Sequence, residues 1–128
     1  MAVLDGDTID VLHDRRAIRV RLAEIDAPEK RQAFGQRSRQ ALADLVFRRH
    51  VKVLDRGSER HGRTLGIVMV AGINVNEELV RWGHAWVYRS YSRDETLVQY
   101  EQLAKGARRG LWADPGAVPP WVYRKSRP

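Results

Sequence analysis

Across residues 17–22 the chain alternates, with Ile18, Val20 and Leu22 separated by Arg19 and Arg21. Period two sends the apolar trio to one face and both arginines to the other, which is the pattern of a half-buried strand. Ile9-Asp10-Val11-Leu12 precedes this segment across the polar stretch His13-Asp14-Arg15-Arg16, and the two runs read as a β-hairpin. Any fold this chain adopts must bury one side of that hairpin and leave Arg21 projecting away from the core.

The rest of the chain supplies what can cover the buried side. Ala41, Leu42, Leu45 and Val46 have helical spacing within residues 36–48, after a connection that contains Pro28 and Gly35 and carries Asp26 and Glu29. Residues 51–54 and 65–70 read as strands, and the polar segment between them carries Arg63. Ala71-Gly72 predicts a tight turn. Asn74 with Glu77 resembles a capping box opening a helix through Trp82, which Gly83 would stop. Residues 85–88 fit a final short strand. Asp94 suits the N-cap of a helix to about Ala107, with Leu97, Tyr100, Leu103 and Ala104 inward. From Gly110 the tail is expected to be irregular. Short strands around one core suggest a small closed barrel rather than a parallel sheet, as a single domain over residues 1–128.

Charge narrows the partner. With 23 Lys and Arg against 16 Asp and Glu, the formal net charge is +7, which favours polyanions, nucleic acid first among them. Cysteine is absent, so disulfides and thiolate metal sites are excluded. No run of about 18 apolar residues predicts a membrane helix, and the N-terminus lacks the pattern of a signal peptide. Few residues precede the Asp5-Gly6-Asp7 turn, which leaves little room for a strand entering it and suggests an upstream segment removed by processing. His13, His50, His61 and His84 show no paired zinc spacing, and no serine belongs to a recognisable nucleophilic set. The pairs Arg15-Arg16, Arg48-Arg49, Arg108-Arg109 and Arg124-Lys125 read as solvated faces or helix ends. Trp82 and Trp112 read as core or tail-anchoring residues.

Asp5-Gly6-Asp7 alone is an ordinary turn, and Asp26-Ala27-Pro28-Glu29 alone is a loop leading to a helix. Together with Arg21 and Arg63 they mean more. The carboxylates of Asp7, Asp26 and Glu29 suit a hard cation, and two guanidiniums suit phosphate, so the set describes a phosphodiester held beside a metal.

Asp5-Gly6-Asp7-Thr8, Val20-Arg21-Leu22, Ile25-Asp26-Ala27-Pro28-Glu29, Gly62-Arg63 and Val75-Asn76-Glu77 resemble, in order and spacing, the staphylococcal nuclease or thermonuclease family. Gly110-Leu111-Trp112 and Pro119-Pro120-Trp121 resemble the C-terminal segment and tail of bacterial members. The resemblance implies an OB-fold, a five-stranded Greek-key barrel with about three α-helices. It also implies a calcium-dependent nuclease acting on DNA and RNA to leave 3′-phosphates, as a monomer with one calcium ion. By the same resemblance, Asp7, Asp26 and the backbone carbonyl of Ala27 would hold the ion, Glu29 would orient or deprotonate water, and Arg21 and Arg63 would grip the phosphate. Arg60 and His61 fall where the family contacts a nucleotide phosphate, and Tyr91 aligns with a base-stacking tyrosine, with Tyr88 the competing register. A secreted or periplasmic location would follow if a leader has been removed. The alternative is a non-catalytic OB module binding nucleic acid or a peptide, and completeness of the acid and arginine set favours the enzyme.

Overall fold

A computed structural model describes residues 1–59, 61–89 and 94–126. The alternating segment forms strand β3 (Arg16–Leu22), antiparallel to β2 (Thr8–His13), with Val20 opposite Ile9 and Arg21 opposite Thr8. Ile9, Val20 and Leu22 are fully buried. On the other face Arg19 forks onto Asp10 at 2.9 and 3.1 Å. Residues before the Asp5-Gly6-Asp7 turn form β1 (Ala2–Asp5), paired antiparallel with β2. The expected lack of room for that strand is thus corrected. A short segment pairs because an existing hairpin supplies its hydrogen-bond partners.

β4 (Ile25–Asp26) leads through Pro28 to helix α1 (Gly35–Val46), which puts Leu42 and Val46 into the core. β5 (Val51–Ser58) and β6 (Thr64–Val70) pair antiparallel, and β7 (Ile73–Asn74) folds back on β6 across Ala71-Gly72. Helix α2 (Val75–Arg81) starts at Asn74, whose side chain accepts a hydrogen bond from the Glu77 N–H at 3.0 Å. β8 (Trp86–Val87) follows, then α3 (Glu95–Gly106), where the Asp94 side chain accepts from the Thr96 N–H at 2.9 Å. Both predicted caps are present.

On α3, Leu97 and Ala104 are buried as expected, but Leu103 is exposed and Glu101 faces inward instead. The Glu101 carboxylate accepts from the Val87 N–H at 2.7 Å and from Arg89 at 3.0 Å, and those bonds make burying a charge tolerable. The tail is not irregular. It holds a 3-10 turn at Gly110–Ala113 and helix α4 (Pro120–Ser126).

The main sheet runs β1-β2-β3-β6-β5 with β7 beside β6, while β4 and β8 form a separate pair. β3 and β6 are parallel, so this is an α+β fold with a mixed sheet. The expected five-stranded closed barrel with about three helices is corrected: the described residues form eight strands and four α-helices, and no pairing among them joins β5 back to β1. Two-residue strands such as β4 and β7 contain no period for a sequence to reveal, whereas β8 falls within the short strand expected at residues 85–88. Asn76, 1% exposed, locks this arrangement. Its amide donates to the carbonyls of Ala23 and Gly66 at 3.0 and 3.2 Å and accepts from the Val68 N–H at 3.0 Å. That ties α2 to β6 and to the turn after β3. No helix among the described residues is long and apolar enough to cross a membrane.

Candidate active site

The parallel pairing of β3 with β6 sets Arg21 opposite Leu65, and Arg63 immediately precedes β6. Two arginines distant in sequence therefore reach the same end of the sheet. There a cleft of about 840 Å³ is walled by Asp7, Arg21, Asp26, Glu29 and Arg63 together. The sequence set is brought together in space.

Two glycines permit the close approaches behind it. A Cβ on Gly6 would lie 2.7 Å from the Cβ of Ala27 and 2.8 Å from that of Ser38, so only glycine lets the Asp5-Gly6-Asp7 turn rest on β4 and α1. A Cβ on Gly35 would collide with the backbone of Glu29. Asp7 is thereby held against Ala27, whose N–H donates to Asp7 Oδ2 at 2.7 Å.

Arg21 leaves its strand away from the core, as its register requires, then folds back until its side chain is only 13% exposed. Nη1 donates to the carbonyls of Leu22 and Ile25 at 2.6 and 2.9 Å. Nη2 lies 3.4 Å from Asp7 Oδ2 and 3.3 Å from Asp26 Oδ1. Two buried carboxylates thus close on one cationic nitrogen, which is the donor chemistry a hard cation needs. Among the described residues no three acidic or histidine side chains group to hold a metal. An ion at Asp7 and Asp26 would complete its shell from backbone oxygen and water.

Electrostatics separates the acids. Burial, reinforced by the charge of Asp7, pushes the Asp5 carboxyl up to about 7. Burial acts upward on Asp7 too, but the Arg21 guanidinium and hydrogen bonds from Asp5, the Ala27 N–H and Thr8 hold it below the usual carboxylate range. Burial raises Asp26 above its ordinary value, with the Asp7 charge adding to the shift and the Arg124 fork opposing it.

Glu29 stands at the same cleft, and its carboxylate meets Arg124 Nη1 at 3.3 Å. Arg63 lines the cleft, but its fork is taken by Glu59, with Nε and Nη2 each 3.0 Å from a carboxylate oxygen. His61 is exposed at the rim, its N–H donating to Glu59 Oε1 at 2.8 Å. Tyr88 also lines the cleft. Arg60 and Tyr91 lie outside the described residues.

Sequence reasoning missed Asp5, Glu59 and Arg124. Asp5 was visible only as a turn residue, and Glu59 as one charge in a polar connection. Read as part of a solvated face or a helix end, Arg124 does lie in the last turn of α4, but it forks onto Asp26 at 2.6 and 3.1 Å rather than facing solvent alone. Nothing local distinguishes it from the other paired basic residues, because its partners lie far away in sequence.

Known proteins include relatives of this chain. The family model described as staphylococcal nuclease homologue matches residues 19–114. Protein ParB of Escherichia coli is 53% identical over 134 residues, covering 96% of this chain and 76% of its own length. A micrococcal nuclease of Shigella flexneri is 49% identical over 135 residues, 97% of this chain and 78% of its own. An uncharacterized endonuclease of Escherichia coli O157:H7 is 46% identical over 123 residues, 95% and 80% respectively.

Proposed function

We infer what this chain does from the premise that it belongs to the staphylococcal nuclease family: it is a nuclease, a hydrolase acting on nucleic acid. We propose that it cleaves DNA and RNA phosphodiesters in the cleft described above, leaves 3′-phosphates, and uses one calcium ion. The observation that carries this reading is the convergence of Asp7, Arg21, Asp26, Glu29 and Arg63 on one cleft from separate stretches of chain. We also read the mixed sheet as an OB-type framework left open between β5 and β1.

Asp7 and Asp26, with the Ala27 carbonyl, are the residues that would hold the ion. The chemistry a bound ion would supply there is polarisation of the scissile phosphate. Glu29 orients the attacking water and takes its proton. Arg21 and Arg63 direct donors at the oxygens where negative charge grows in the transition state. For Arg63 this requires the phosphate to replace Glu59 as the partner of its fork, an exchange of one bidentate oxyanion for another. His61, together with Arg60 and Tyr91, is assigned to the flanking nucleotide, the tyrosine by stacking on a base.

The test is cleavage of DNA and RNA with and without calcium, by the parent and by Glu29→Gln. The parent is expected to need calcium and to leave 3′-phosphate ends. Glu29→Gln should lower turnover by about 100-fold with little change in nucleic-acid affinity. A parent that cuts nothing in calcium, or a Glu29→Gln enzyme at parental rate, overturns the assignment.

A further inference from the structure

Helix α4 lies beyond the stretch that the family model matches, which ends at residue 114. It nevertheless reaches the cleft, which Arg124 helps to line. The Val118 carbonyl accepts from Gln32 Nε2 at 2.6 Å, and Gln32 Oε1 in turn accepts from the Glu29 backbone N–H at 3.1 Å. Gln32 is 9% exposed, so both bonds are made largely out of water. Trp121 stacks on Tyr88 with centroids 5.3 Å apart and planes 4° apart, and meets Trp86 edge-on at 5.6 Å. One helical turn later on the same side of α4 comes Arg124.

From that anchored turn Arg124 places Nη2 2.6 Å from Asp26 Oδ2, and Nη1 3.1 Å from Asp26 Oδ1 and 3.3 Å from Glu29 Oε1. The Asp26 side chain is 1% exposed and that of Arg124 32%. A fork on a buried carboxylate is not a solvated surface pair. Glu29 is therefore attached to the tail at both ends, its backbone through Gln32 and its carboxylate through Arg124.

Resting on the assignment of Glu29 as the base, we propose that α4 is an active-site element and that Arg124 is a positioning residue. It acts through Glu29, fixing the direction in which that carboxylate meets the attacking water. A reacting group misplaced by about 1 Å costs on the order of 100-fold in rate. An ammonium is a single compact charge and cannot span two carboxylates as the fork does.

The experiment is steady-state cleavage of duplex DNA in calcium by Arg124→Gln, Arg124→Lys, Glu29→Gln and the Glu29→Gln, Arg124→Gln double variant. Arg124→Gln is expected to lower kcat by about 10- to 100-fold, with KM moving less than about threefold. Lysine should recover a minor part of the loss. In the Glu29→Gln background, Arg124→Gln should cost nothing further, because its effect passes through the missing carboxylate. Calorimetry should show calcium taken up by Arg124→Gln no more weakly than by the parent. The tail's role is overturned by a parental kcat in Arg124→Gln, by a loss carried wholly in KM, by a loss that multiplies in full on Glu29→Gln, by full recovery with lysine, or by loss of calcium uptake. An unimpaired Glu29→Gln overturns the base as well, whereas a parental Arg124→Gln beside an impaired Glu29→Gln overturns the tail alone. Should Arg124→Gln melt below the assay temperature, Gln32→Leu cuts the other attachment. It is expected to lower kcat about 3- to 10-fold, and a parental kcat there overturns the proposal.

Discussion

Arg21 and Arg63 bring the same side chain to the same cleft, and the fold holds them in opposite ways. Arg21 leaves a paired strand, is 13% exposed, and divides its fork among two backbone carbonyls and two buried carboxylates. Arg63 sits in a connection, is 31% exposed, and gives its fork to Glu59 alone. The first guanidinium is part of the structure as well as of the site, since removing it takes from the buried Asp7 its cationic partner and leaves Asp26 with Arg124 alone. The second is held by a partner that a phosphate can replace. Residue type sets what an arginine can bind, and burial sets whether the fold can do without it.

The sharpest test removes the acids at the inner end. Asp7→Ala, Asp26→Ala should abolish calcium uptake in calorimetry and cleavage with it, because it removes both carboxylates assigned to the ion. Uptake equal to the parent's would sink the metal assignment.

Next comes truncation of each arginine. Arg21→Leu should cost about 3 kcal/mol in chemical denaturation, the size seen when one partner of a buried charge cluster is lost. Arg63→Leu should cost under about 1 kcal/mol, as for a surface pair. Equal losses would erase the contrast between the two ends.

Replacement by lysine keeps the charge and removes the fork. Arg21→Lys and Arg63→Lys should each lower turnover by roughly 10- to 1000-fold if the fork meets charge that develops in the transition state. Binding of uncleaved DNA should change much less, since the remaining basic surface supplies most of the attraction. Two fully active lysine variants would reduce both residues to parts of a basic face.

The smallest effect belongs to Glu59. The hydrogen bonds from Arg63 hold its carboxyl down to about 2, below its ordinary value of 4.5. A carboxyl depressed on folding adds stability in full above about pH 4.5 and loses it as pH falls through about 2. The stability gap between parent and Glu59→Gln should thus be flat from neutral pH to about 5 and close toward pH 2. At neutral pH the variant frees Arg63, and KM for DNA should fall by about two- to threefold. A rise in KM would mean that Glu59 orients Arg63 for substrate rather than competing with it.

Legibility followed the range of the physics. Period two in β3 told which way Arg21 leaves the strand, and the caps at Asn74 and Asp94 announced α2 and α3, because both signals live within a few residues. Where bonding partners were distant, the reading failed. Glu101 took an inward place meant for Leu103 because Val87 and Arg89 were there to satisfy it. β4, two residues long, exists only as a partner for β8, the short strand that was expected at residues 85–88.

By itself the sequence determined the strands and helices that repeat over a few turns, the basic balance, and the acids and arginines from which a phosphodiester site can be built. Tertiary structure decided that β3 and β6 run parallel, so that Arg63 arrives beside Arg21. It also decided that burial and the nearby Asp7 raise the Asp5 carboxyl, and that Arg124, 98 residues from Asp26, forks onto a buried carboxylate of the site. The reason is one of distance: periodicity and capping are set by neighbours along the chain, whereas burial and ion pairing depend on which groups the completed fold brings within a few ångströms.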